Sequence, residues 1–499
     1  MNPTLEQKAI IESNHKIILV NAFAGAGKTS TLIEFCRNRK NKKFLYLCYN
    51  NSMRKEAQKK FKNINVDVKT FHSLAYSSVG YRYKNRIREN KKLRLIDLEP
   101  YFSNISNLKL KRENVFNLFH SLKFFINSSL TLDELKFIPY NLNGKYSYLL
   151  MKIWEQIVDE TSNFPFEQDF YLKLYELENP KLNYDYILVD EAQDLNPVMF
   201  SILRDQTCKK IFIGDTFQRI YGFRQCINAL KDLSNNPLSQ IFYLTETFRC
   251  PKEVVDLANQ YLLILGANKP MVTRLENKSK RSWEVGEKFT FISRTNAKIL
   301  LFVSKNMHSK FHFVGGIEKY KFQDIADIAR VFSRNEEAKN KIKNPFFKDF
   351  YNSKDRLLEY LRENPEDIDI ASMVKAFYVL LANKINIFKL INGLKQYPEK
   401  EADIVLTTAH KSKGLEWNNV LLADDFFQIV KNDQEIVLPD VIPIEDLNLL
   451  YVAITRAKEI LQGYQIYEVF NKNNSQQFNE KLLIKIRERL IDNDKKDFE

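Results

Sequence analysis

One stretch, Ile17–Thr31 (IILVNAFAGAGKTST), narrows the choice of fold more than any other part of the chain. Its apolar run, Ile17 to Val20, reads as a short buried strand. Gly25, Ala26 and Gly27 supply a turn, and Lys28, Thr29, Ser30, Thr31 and Leu32 open a helix. Strand, glycine loop and helix start in that order aim backbone N–H groups and the positive helix end at an anion. Lys28 is placed to reach the β- and γ-phosphates of a nucleotide, and Thr29 to hold its magnesium ion. Ala24, Gly25, Ala26, Gly27 and Ser30 make up the rest of the expected cradle. The first glycine of G-x-x-x-x-G-K-[ST] is Ala22 here, so the plain pattern is not met.

At 499 residues the chain exceeds one core and implies several domains, and an apolar fraction of 44% supports packed globular ones. The net charge of +14 favours a polyanionic partner such as nucleic acid. Cys36, Cys48, Cys208, Cys226 and Cys250 form no C-x-x-C pair, so neither a disulfide framework nor a zinc ribbon is expected. No apolar run approaches the roughly 18 residues of a membrane span, and the N-terminus lacks a signal-peptide pattern. The expectation is a soluble cytoplasmic protein with no membrane association.

Other segments place chemistry at strand ends. Gln7, ahead of the loop, has an amide able to pair with an adenine edge, although alone it reads as an ordinary helix-surface residue. Phe44–Ala57 reads as a strand with a polar tip (Tyr49, Asn50, Asn51) followed by a basic helix, and Val68–Leu74 is a second such tip. The run from Tyr81 to Leu95 gathers seven cations around Tyr81 and Tyr83, the start of a helical stretch that is either a solvated basic face or a nucleic-acid contact. At Tyr184–Asp194 a hydrophobic strand ends in Asp190 and Glu191. Asp190 suits a magnesium ion and Glu191 the polarisation of an attacking water. After the strand Lys210–Ile213, Gln218 is placed to sense a γ-phosphate, while Tyr221 and Phe223 offer stacking faces.

The ordered set AFAGAGKT, TFHSLA, ILVDEAQD, GDTFQRIYGFR, LTETFR, ISRTNA, FVGG, TTAHKSKGLEW and LLYVAITRAK resembles the UvrD/Rep group of superfamily 1 DNA helicases. Within that group it is most similar to the catalytic core of the F-box DNA helicase type. No F-box precedes the first motif, so no ubiquitin-ligase role is expected. The resemblance implies an α/β fold of two RecA-like P-loop motor domains with parallel sheets, each carrying a mainly helical insertion. The expected boundaries are 1–80 with 166–248 for domain 1A and 81–165 for insertion 1B. Domain 2A would comprise 249–330 with 401–499, and a reduced insertion 2B residues 331–400.

The same resemblance implies roles by position. Gln7 reads adenine with Phe248 stacked beside the base, and Glu416 meets the ribose. Lys28, Glu191, Gln218, Arg249 and Arg456 are the catalytic set, with Arg456 as the arginine finger. Thr29 and Asp190 hold Mg2+ for ATP. Tyr49, Asn51, Thr70, His72, Tyr221, Phe223, Arg224, Arg294 and His410 line single-stranded DNA. Ser30, Phe223 and Tyr49 depart from residues frequent in the group. The implied activity is ATP-dependent 3′-to-5′ DNA unwinding or translocation on single strands and single/double-strand junctions, in repair, recombination or defence. Two other roles are kept: a translocase that strips proteins from DNA, and the ATPase subunit of a complex with a partner such as a nuclease.

Overall fold

The strands of this protein alternate side chains between two covered faces, and that alternation accounts for most of its core. The computed structural model describes residues 2–89, 91–141, 143–220, 227–277, 282–284, 286–351, 353–363, 367–429, 431–432, 436–470 and 475–491. They fall into two compact units, residues 1–245 and 246–491.

The first unit is built on a six-stranded parallel sheet of order β3-β2-β4-β5-β1-β6. The strands are β1 (Ile17–Ala22), β2 (Phe44–Cys48), β3 (Val66–Thr70), β4 (Tyr186–Asp190), β5 (Lys209–Gly214) and β6 (Ser239–Leu244). Ile18 and Val20 of β1 pack on one face with Ile10 of α1 (Leu5–Glu12) and with Leu32 and Phe35 of α2 (Lys28–Arg37). Ile17 and Leu19 point the other way, into a core shared with the helical stretch. Burial on both faces explains why these strands read as unbroken apolar runs.

Helices α3 (Asn51–Lys60) and α4 (Phe71–Ser78) follow β2 and β3, capped by the side chains of Asn50 and Thr70. The stretch beyond them is mainly helical, with α5 (Lys84–Glu89), α6 (Leu108–Asn127), α7 (Ser147–Val158) and α8 (Gln168–Leu177). Its basic opening is partly structural. Arg86 is buried and donates to the carbonyls of Ile157, Asp159 and Phe164, while Arg82 pairs with Glu178 and Arg94 with Asp97. Burial, with both terminal nitrogens bonded to carbonyls of the fold, excludes nucleic-acid contact by Arg86.

The second unit carries a five-stranded parallel sheet of order β10-β11-β9-β12-β16. After the short pair β7 (Glu246–Thr247) and β8 (Val272–Thr273) come β9 (Phe289–Ser293), β10 (Phe311–Phe313), β11 (Ile404–Thr408) and β12 (Trp417–Leu422). Two-residue strands β13 (Lys431–Asn432), β14 (Ile436–Val437) and β15 (Ile442–Pro443) precede β16 (Ala457–Gln462). One face of the sheet, through Phe291, Ile404 and Leu406, shares a core with the helices between Asn296 and Gly393. After Ser475 the sequence suggests a helix and a frayed tail. The helix spans Gln476–Arg487 and is followed by β17 (Leu490–Ile491), which pairs with β15; the expected tail lies outside the described residues. Among the described residues no single helix is long and apolar enough to cross a membrane.

Candidate functional site

The loop between β1 and α2 turns where it does because Gly25 and Gly27 adopt φ of 73° and 80°, which glycine reaches without a Cβ penalty. Phe23 N–H donates to Leu244 O at the end of β6, and Ala26 N–H to Phe23 O, which closes the turn. Gly27 is the N-cap of α2, and Thr31 returns both its N–H and its hydroxyl to Gly27 O at 3.0 Å. Lys28, Thr29 and Ser30 therefore sit in the first helical turn. Ala22 is buried at the end of β1, where a small side chain fits.

The carboxylates come from the neighbouring strand ends. Lys28 Nζ is 3.0 Å from Glu191 Oε1. Burial pulls the Lys28 ammonium down, but the charges of Glu191, Asp190 and Asp215 outweigh it and hold its pKa above the usual lysine range. Asp190, itself buried, accepts from Glu191 N–H at 2.9 Å and from the Tyr46 hydroxyl of β2. Burial, then the Glu191 charge, push its carboxyl above the ordinary aspartate range, with Lys28 opposing. Glu191 stands in the left-handed region at φ 53°, a conformation uncommon outside glycine and asparagine.

Gln193 ties these strand ends together. Its Nε2 donates to Glu191 Oε2 at 2.5 Å, and its Oε1 accepts Asp215 N–H at 3.1 Å. Gln218 Nε2 donates to Asp215 Oδ2 at 2.8 Å, so Lys28, Asp190, Glu191 and Gln218 belong to one connected cluster. Gly214 makes the bridge possible, since a Cβ there would lie 2.2 Å from Gln193 Oε1. Sequence reasoning gave Gln193 no role, though it lies inside the DEAQD motif. Glu6 was missed likewise: it accepts the N–H of Thr245 at 2.7 Å and its hydroxyl at 3.0 Å, fixing α1 to the end of β6. The next residue, Gln7, is nearly buried, and its amide oxygen accepts Thr4 N–H in a capping box.

The second unit collects a different set. Arg249 Nε donates to Glu416 Oε2 at 2.7 Å and its Nη1 to Thr455 O at 3.4 Å. Arg456 is buried, donating to Val452 O, Leu415 O and Thr455 Oγ1. Arg249, Glu416 and Arg456 are thus neighbours around Thr455, and both guanidinium groups already have partners. Phe248 is 45% exposed, leaving a ring face open.

The residues expected to line a strand lie at carboxyl ends of strands in each unit. Cys48 and Thr70 are register partners, so Tyr49, Asn51, Thr70 and His72 share one edge. Thr70 caps α4, and His72 Nε2 is 2.9 Å from Asp169 Oδ1. Ser293 and Thr408 are likewise register partners, which sets Arg294 and His410 side by side on the second sheet. Arg294 pairs with Asp446 at 2.8 Å. Tyr221, Phe223 and Arg224 lie outside the described residues.

The donor set suits a magnesium nucleotide. A threonine hydroxyl and one buried carboxylate are hard oxygen ligands, and Mg2+ is commonly held by one or two such groups together with phosphate oxygens. No group of three or more His, Cys, Asp or Glu suited to a metal occurs among the described residues.

Residues 3–234 match the family model of the UvrD/REP helicase N-terminal domain. Over these residues the chain is similar to that domain. Over 93% of its length the chain is 30% identical to F-box DNA helicase 1 of Gallus gallus, covering 49% of that protein. It is 28% identical over 92% of its length to F-box DNA helicase protein 1 of Schizosaccharomyces pombe, covering 57%. The ATP-dependent DNA helicase PcrA of Staphylococcus aureus is 23% identical over 65% of the chain. The chain spans about half the length of the relatives it matches. The resemblance to UvrD/Rep helicases, and its leaning toward the F-box type, therefore hold, as does the α/β fold with parallel sheets.

Proposed function

We propose that the chain is an ATP-dependent DNA helicase or translocase that moves 3′ to 5′ on single-stranded DNA. The observation that carries this reading is the cluster of Lys28, Asp190, Glu191 and Gln218 on the carboxyl ends of a parallel sheet. Support comes from the DNA helicases to which the chain is similar.

In this mechanism the phosphates of ATP take Lys28 from Glu191. The Glu191 carboxylate, still held by Gln193, is then free to accept a proton from the attacking water. Thr29 and Asp190 would hold Mg2+, which when bound would neutralise phosphate charge. Gln7 and Phe248 bind the base, Glu416 the ribose. Gln218 contacts the γ-phosphate and passes its state to Asp215 through their hydrogen bond. Arg249 and Arg456 stabilise transition-state charge, for which each guanidinium exchanges present partners for phosphate oxygens. Tyr49, Asn51, Thr70, His72, Tyr221, Phe223, Arg224, Arg294 and His410 contact the strand. Phosphate and stacking contacts are sequence-tolerant, so little base preference is expected.

The test is displacement of a labelled strand from duplexes bearing a 3′ or a 5′ single-stranded tail, with ATP turnover followed in parallel. Unwinding of the 3′-tailed substrate supports the reading. Turnover without unwinding, joined to removal of a bound protein from single strands, would assign the stripping role instead. Arg456→Ala should retain nucleotide binding while losing about three to five decades of turnover.

A further inference from the structure

The motif residues occupy the carboxyl ends of the first sheet, but the chain's positive charge also gathers at the opposite edge. Where α2 ends and β2 and β3 begin, a cavity of about 480 Å³ is lined by Arg37, Arg39, Lys40, Lys42 and Lys62, with Phe44 at its back. α2 has ten residues and spans about 15 Å at 1.5 Å per residue, so the cavity lies one helix length from the phosphate loop.

Two cations of this edge, Arg39 and Lys209, are satisfied by carbonyl groups, which leave their charge in place. Arg39 donates to the carbonyls of Ile11, Phe35 and Ser13, and Lys209 to that of Asn14. Asp185 pairs with Lys42 at 3.0 Å and Glu34 with Arg37. Among the described residues Lys40 and Lys62 have no carboxylate partner, and both are exposed. The charge continues along the edge. Asp185 O accepts Lys209 N–H, and Lys16, exposed, stands directly before β1.

The extent of this edge selects its ligand. Lys62 precedes β3 and Lys16 precedes β1, four strand spacings away in the sheet order, or about 19 Å at ~4.8 Å each. One strand of duplex DNA presents about five to six phosphates over that length, at 3.4 Å apiece. A single phosphate group would fill only the cavity.

We propose that the amino-terminal edge of the first sheet, from Lys62 through Lys40 and Lys42 to Lys16, is a second DNA contact surface that grips the phosphate backbone. It rests on the DNA reading above for its choice of polyanion, and its charge complementarity is independent of the motif loops. Contacts of this kind carry no sequence information and hold the duplex beside the motor during stepping.

The experiment compares wild type, Lys40→Gln/Lys62→Gln, and a control, Lys348→Gln/Lys395→Gln, which removes the same charge from exposed sites in the second unit. Binding of a labelled tailed duplex is read by fluorescence anisotropy across a salt series, with melting curves recorded for each protein. The edge variant should lower the slope of log K against log[salt] by about 1.8, or 0.9 for each lost phosphate contact. Its ATP turnover on a saturating short single strand should be unchanged. An unaltered slope, or an equal change in the control, overturns this surface while the helicase reading stands. Wild type that binds no DNA overturns both.

Discussion

Lys28 Nζ lies 3.0 Å from Glu191 Oε1, so the cation of the phosphate loop and the carboxylate after β4 form one ion pair. Glu191 is the main charge partner of Lys28, and both side chains are largely buried. Burial disfavours either charge alone, so removal of one leaves the other costly. The pair therefore acts as a latch: whichever ligand competes for Lys28 also changes what Glu191 can do.

Glu191→Gln preserves shape and the contact with Gln193 but removes the proton acceptor. Turnover should fall by about 10²–10⁴-fold, the usual worth of a general base, while nucleotide affinity holds or rises. Lys28→Ala should lose both binding and turnover. Parallel equilibrium binding and turnover measurements separate the two, and matching profiles would refute the division of roles.

Gly214→Ala tests the bridge between β4 and β5. The added Cβ meets Gln193 Oε1 at 2.2 Å and Ala192 N at 3.0 Å, so the amide must leave Glu191 or Asp215. Overpacking of this kind costs about 1–3 kcal/mol. Denaturation midpoints should fall accordingly, and Gln193→Ala introduced into Gly214→Ala should recover part of the loss. Strict additivity of the two changes would show that no such contact exists.

What was legible in the sequence followed from local physics. The strand, glycine turn and helix at Ile17–Thr31 are coded by apolar run, backbone freedom and helix start within fifteen residues. Asp190 and Glu191 stood out because a buried strand rarely ends in two acids. Side-chain bonds between distant segments were not legible. Glu6 meets Thr245 across 239 positions, and nothing local marks either residue. The left-handed backbone of Glu191 was also hidden, since glutamate carries no preference for it. Arg86 misled for the opposite reason: composition registers a charge but not the three carbonyls that absorb it.

Tyr46→Phe probes the support behind the expected magnesium ligand. Tyr46 is 2% exposed and donates its hydroxyl to Asp190 Oδ2, which orients that carboxylate. Loss of such an outer partner commonly weakens metal affinity 10–100-fold. The Mg2+ concentration for half-maximal turnover should rise by about that factor, with turnover at saturating Mg2+ little changed. A magnesium titration of both proteins decides the matter, and an unmoved midpoint would mean that Asp190 is held by other means.

Lys411 in the second unit sets a pH dependence of stability. Its ammonium donates to Asn296 Oδ1 at 3.0 Å and sits 4.1 Å from the centre of the Tyr320 ring. Burial pulls its pKa from 10.5 to about 8; Asp369 opposes the shift, and Lys321 and Lys319 add to it. Between about pH 8 and 10.5 the unfolded chain keeps a proton that the folded chain has released, so this group makes the fold more stable as pH rises through that window. Below about pH 8 both states are protonated and the burial penalty on the charge is felt in full. Lys411→Met lacks this titration. The urea midpoint of wild type minus that of Lys411→Met should therefore increase from about pH 7.5 to about pH 10. Other tyrosines and cysteines titrate over the same range in both proteins, and the subtraction removes them. A difference that stays constant with pH would show that Lys411 keeps an ordinary pKa in the folded chain.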